Sequence, residues 1–115
     1  MRTFAIVVSL ACLSAPAFAQ EACTGRGIAK KEFVQTFNSA NAALTARDFA
    51  GAISLAEAAR PHALSPMQLS AANQVAIAGL YQLDRAAAKP RVAAALSDPC
   101  LPDGVRANYE KMLAE

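Results

Sequence analysis

The chain has 115 residues, 55% of them hydrophobic, with eleven basic side chains against nine acidic ones. That length admits one small domain with a modest core. The basic residues are scattered singly apart from Lys30-Lys31 and the group Arg85, Lys89 and Arg91. Both read as solvated helix surface and exclude the clustered basic face of a nucleic-acid binder.

The first twenty residues, MRTFAIVVSLACLSAPAFAQ, carry one basic residue, an apolar run from Phe4 to Leu13, and a small-x-small end at Ala17-Phe18-Ala19. This is the layout of a secretory signal peptide (1–19) cleaved after Ala19. The run is too short to span a bilayer, so no integral membrane span is expected after cleavage. An uncleaved anchor is the competing reading. Lipidation is disfavoured at Cys12, where cutting leaves too short a signal, and at Cys23, which acidic Glu21 closely precedes. Loss of Cys12 leaves two cysteines, Cys23 and Cys100, and in an exported chain such a pair reads as a disulfide. Closing a loop across nearly the whole domain is worth about 4.5 kcal/mol in the chain-entropy treatment. Two free thiols are the alternative.

Residues 20–29 show no apolar periodicity and are expected to be an extended leader, before a helical domain over 30–115. Phe33, Phe37, Ala40 and Leu44 fall on one stripe of a first helix. Asp48 is placed to cap a second helix from Phe49, with Ala52, Ile53, Ala56 and Ala59 on a small apolar face. Arg60-Pro61 is expected to close it, since the residue before a proline is disfavoured in the helical region. "PHALSP" then reads as a short loop. Ser65 and Pro66 start a third helix, apolar nearly all round through Leu69, Ala72, Val75, Ala76, Gly79, Leu80 and Leu83, and therefore the most buried element. Asp84 caps a fourth helix over 85–96, with Ala88, Val92, Ala95 and Leu96 facing inward. Pro90 predicts either a kink or a late start. Val105, Tyr109, Met112 and Leu113 mark a fifth helix over 102–114. No alternating strand pattern competes, and the fold class is all-α.

Sliding the chain by 36 residues aligns Ala40, Ala42, Leu44, Asp48, Ala50, Ala52, Ala58 and Ala59 with identical residues at 76, 78, 80, 84, 86, 88, 94 and 95. Alanine matches come cheaply here, so Leu44/Leu80 and Asp48/Asp84 are the informative pairs. With Asp48, Phe49, Ala52 and Ala59 in the first copy and Asp84, Ala88 and Ala95 in the second, the chain resembles the tetratricopeptide repeat family. It departs from the family in lacking tryptophan, in Thr36 and Ala72 at positions where a large residue is common, in Arg85 for the turn aromatic, and in Pro90. An unrelated four- or five-helix bundle is the alternative. The resemblance implies antiparallel helical hairpins, 30–60 and 66–96, stacked with the terminal helix as a short right-handed solenoid of about five helices. Its outer arms are expected to differ: the first packed on more of its surface, the second showing Arg85, Lys89 and Arg91 outward.

Chemistry is sparse. His62, the single histidine, sits between two prolines near Ser65 and is expected to be exposed and non-catalytic. Asp84, Asp98, Asp103 and Glu110 lie at turns and helix starts, where capping accounts for them. "TGRG" at 24–27 lacks the length and flanking strand of a phosphate loop. Two lone cysteines make no zinc site. No catalytic residue, metal or cofactor is expected.

The resemblance implies a groove lined by the first helix of each hairpin. Here that face carries Asn38, Asn41, Asn73, Gln74 and Tyr81, whose amides can donate to and accept from peptide backbone. Phe37 replaces the lysine that the family often places one turn before such an asparagine, which disfavours recognition of a terminal carboxylate on this face. Surface polarity, or hydrogen bonds between helices, is the other reading of these amides. The expected function is an exported, periplasmic or secreted interaction module that contacts another envelope protein or a peptide segment, with self-association also compatible. The alternative is a structural or small-ligand-binding helical protein of the envelope, with a cavity behind Gly79.

Overall fold

The computed structural model describes Cys23 and residues 27–115. The segment expected to be a signal peptide, Cys12 and most of the expected leader lie outside the described residues. Five α-helices follow in chain order: α1 Lys31–Thr45, α2 Phe49–Ala59, α3 Pro66–Leu83, α4 Arg85–Ala95 and α5 Asp103–Ala114. There is no strand among the described residues. Ile28, Ala29 and Lys30 are non-helical and exposed.

Capping chemistry sets the helix starts. The Asp48 carboxylate accepts from Gly51 N–H at 3.0 Å, Ser65 Oγ from Gln68 N–H at 3.2 Å, and Asp84 Oδ1 from Ala87 N–H at 3.1 Å. Each satisfies a backbone donor that the first helical turn leaves unpaired. Between α1 and α2 the Asp48 N–H returns to the Ala43 carbonyl and the Arg47 N–H to that of Leu44. This is the paired ending usually built around a left-handed residue, and Arg47 takes that role with φ 64°.

Two local expectations are corrected. Arg60 stays helical before proline, at φ −54° and ψ −46°, and the chain continues through a 3-10 turn, Arg60–His62. The loop is thereby shortened, and His62 is half-buried rather than exposed. The preference against helix before proline is a bias, and here the Arg60 side chain is anchored by Glu57 one turn back. The late start of α4 does not occur either: the helix begins at Arg85 and includes Pro90. Proline removes the bond to the Ala86 carbonyl, and both residues are exposed, so water can replace it.

Neighbouring helices pack in sequence order, α1 on α2, α2 on α3, α3 on α4 and α4 on α5, with a further contact between α1 and α3. The core has two sides, divided by α3. On one side Ala40, Ala52, Ala56, Val75 and Ala76 pack together, and Phe33, Ala59 and Ala72 extend the same layer. Alanine at 40, 52, 56, 59, 72 and 76 is fully buried. With so little side chain between them, the helices approach closely. Gly79 marks a close approach of α3 to α2: a Cβ there would sit 3.0 Å from Ile53 Cγ1 and 3.1 Å from the Phe49 carbonyl oxygen. On the other side Ile77, Val92, Leu101 and Tyr109 form a second cluster, flanked by Val105, Met112 and Leu113.

Cys23 and Cys100 form a disulfide, with Cα atoms 5.1 Å apart and 77 positions between them in sequence. It ties the segment before α1 to the loop between α4 and α5. Gln68 makes a second attachment, donating to the Ile28 carbonyl at 3.2 Å and accepting from Leu64 N–H at 2.8 Å.

Candidate functional site

A groove of about 430 Å³ opens between α3, the 3-10 turn and the end of α4. Ser70 and Asn73, one turn apart on α3, supply polar groups to its wall, and Leu69 and Ile77 supply apolar surface. Arg60 enters from the turn, Arg91 from α4, and Asp98 from the loop beyond.

The two arginines meet over one acid. Glu57 accepts from Arg91 at 2.6 Å and from Arg60 at 3.1 Å. Partial burial works against the ionised carboxyl of Glu57, but the hydrogen bonds and charges of Arg91 and Arg60 outweigh it and hold the group below the ordinary carboxylate range. Among the described residues, Arg60 Nε is buried with no hydrogen-bond partner. The loop end is rigidified separately. Asp98 Oδ1 accepts from Cys100 N–H at 2.9 Å, while Arg106 donates to the carbonyls of Leu96 at 2.6 Å and Asp98 at 3.1 Å. At Leu96 the guanidinium satisfies a carbonyl at the end of α4 that the helix itself cannot.

Of the five amide and phenol residues expected on one face, one lines this groove. Asn73 lines the groove; Asn38, Asn41, Gln74 and Tyr81 do not. Asn38 and Asn41 are exposed on α1. Gln74 donates to Ser70 Oγ at 3.3 Å within its own helix. Tyr81 donates to Glu115 at 2.6 Å, which raises its pKa, and Arg85 lies over its ring at 5.0 Å. The outward basic arm is likewise only partly as expected, because Arg91 turns back to Glu57 and Arg85 reaches Glu115 at 3.7 Å.

Glu57, Arg60 and Arg91 were not legible as a group. The Glu57/Arg60 spacing is a local signal, but Arg91 lies 34 positions away and only the stacking of α2 and α4 around α3 unites the three. The space behind Gly79, considered for a cavity, is filled by Ile53 and the α2 backbone. Ser65 Oγ is engaged as a helix cap. Among the described residues there is no cluster of metal-ligating side chains and no helix long and apolar enough to cross a membrane. The groove itself combines hydrogen-bonding groups from Ser70, Asn73, Arg60 and Arg91 with apolar surface from Leu69 and Ile77. No family model, curated protein or solved structure matches the chain.

Proposed function

We propose that this chain is an exported, tetratricopeptide-like interaction module that works by contacting an envelope protein or a peptide segment rather than by catalysis. The observation that carries the reading is the groove: a polar-rimmed recess of about 430 Å³ formed by helices whose main contacts follow chain order. The 36-residue internal repeat supports the hairpin organisation. The disulfide supports an oxidising compartment and hence export, since such bonds persist mainly there.

Capture from a cell-envelope fraction, with the oxidised chain as bait, tests the proposal. A partner held by the groove is retained less by Asn73→Ala and equally well by Asn41→Ala, because only Asn73 lines the recess. Dependence on Asn41 alone moves the contact to the outer face of α1. Capture indifferent to both, or no capture, overturns it.

A further inference from the structure

Two guanidinium groups sharing one carboxylate leave donors unspent. A guanidinium carries five N–H donors in a planar fork that matches a carboxylate. Glu57 takes one nitrogen of Arg91 and one of Arg60, while Arg60 Nε has no acceptor among the described residues. Both arginines line the groove. The Nη hydrogens of the two arginines that are not turned to Glu57 are the donors left for a ligand in the groove. Ser70, only 2% exposed, lies in the same wall. Its Oγ already accepts from Gln74, which leaves its own hydrogen to donate. The Asn73 amide stands one turn further along α3. Asp98, in the loop beyond α4, adds a carboxylate to the same lining. An acid entering this groove is drawn to Arg60 and Arg91, with Leu69 and Ile77 in the same lining to take apolar substance.

We infer that the groove is a binding site for a carboxylate bearing an apolar tail, with the acid on Arg60 and Arg91 and the tail along Leu69 and Ile77. The inference rests on the reading of this groove as the contact surface and names the chemistry it takes. Glu57 is the internal competitor, holding the arginine pair until an external carboxylate shares them. The ligand acid can belong to a free aliphatic acid or to the C-terminus of a peptide.

The test uses the full oxidised chain and three probes: hexanoate, a short peptide ending Ala-Leu with a free carboxylate, and the same peptide amidated. Nitrogen–proton NMR spectra follow the Asn73 side-chain amide and the Nε–H signals of Arg60 and Arg91. Saturable shifts at these signals are expected with at least one free acid, and at least tenfold weaker binding with the amide. Binding of hexanoate assigns a free acid as sufficient, whereas binding of the peptide acid alone assigns a chain terminus. Arg91→Gln is expected to weaken binding at least tenfold. Glu57→Gln, which removes the competitor, is expected to tighten it several-fold, a gain that a merely structural role for Glu57 does not produce. Equal binding of acid and amide, no saturable shift with any probe, or weaker binding in Glu57→Gln overturns the inference. Capture of an envelope partner through Asn73 without carboxylate binding sinks this inference and leaves the proposed function standing; carboxylate binding without capture does the reverse.

Discussion

Arg47 is the one non-glycine described residue with positive φ, at the left-handed position that ends α1. For an L-residue that conformation costs roughly 1–2 kcal/mol. Glycine removes the cost but adds freedom to the unfolded chain, an opposing effect of about 0.4–1 kcal/mol. Arg47→Gly is therefore expected to stabilise by about 0.5–1 kcal/mol in urea unfolding, and a lower midpoint would show that the Arg47 side chain contributes something the backbone argument omits. Gly79 presents the opposite case. Helix propensity alone predicts a gain of about 1 kcal/mol for alanine. A Cβ at 3.1 Å from the Phe49 carbonyl, however, presses on backbone that cannot rotate away, and Ile53 Cγ1 is as near. Overpacking of this kind costs about 1–3 kcal/mol, so Gly79→Ala is expected to destabilise by about 1 kcal/mol. A rise in stability would mean that α2 and α3 can separate without loss.

Capping and ion pairing decide how the helices meet. Asp84 ends α3 and caps α4, so Asp84→Ala frees the Ala87 N–H and is expected to cost about 1 kcal/mol, seen as faster amide exchange in the first turn of α4. Glu57 joins α2 to α4 through Arg91, with side chains still 39% and 33% exposed, so the pair is screened and its contribution modest. Its sign is nonetheless defined. A carboxyl whose pKa is lowered in the folded state stabilises above its unfolded value, near 4.5, and loses that stabilisation as pH falls through the folded value. Urea midpoints measured from pH 6 downward should fall less steeply in Glu57→Gln than in the parent chain; identical slopes would remove Glu57 as a source of acid sensitivity. The helices and their caps could be read in advance because each depends on neighbours three or four residues away: Asp48 with Gly51, Ser65 with Gln68, Asp84 with Ala87. Burial of α3 on both sides was equally legible, from an apolar pattern that runs nearly all round the helix. The groove was not, because Arg60 kept its helical backbone into a proline turn and Arg91 found Glu57 across 34 positions. Asn73 and Gln74 illustrate the same limit. Adjacent in sequence, they part company on the helix, one lining the groove and the other bonded within α3.

Packing in chain order gives each helix few distant neighbours, and much of the first core layer is alanine, which buries little area per residue. Apolar burial contributes roughly 25 cal/mol per Å², so a core of such small side chains stabilises weakly for its length. The disulfide is then the main covalent link between distant parts of the chain, joining the segment before α1 to the loop after α4 across 77 positions. Its principal effect is on the unfolded ensemble, where closing so long a loop removes about 4.5 kcal/mol of chain entropy at most. Native disulfides of small exported domains return about 2–5 kcal/mol on removal. A domain of this size shifts by about 4–8 °C in Tm per kcal/mol, so the Cys23→Ser, Cys100→Ser double variant is expected to melt at least about 8 °C below the oxidised chain. Mass spectrometry of the oxidised chain should show the loss of two hydrogens and a linked Cys23–Cys100 peptide. Reduction should also release the leader first, since Gln68 alone then holds Ile28, and limited proteolysis is expected to cut before Lys31 while α1 to α3 stay intact. A melting shift of under 3 °C would mean that the helices hold the stack unaided. Cleavage inside α3 before the leader is lost would mean that the bond stabilises the core rather than the attachment of the leader.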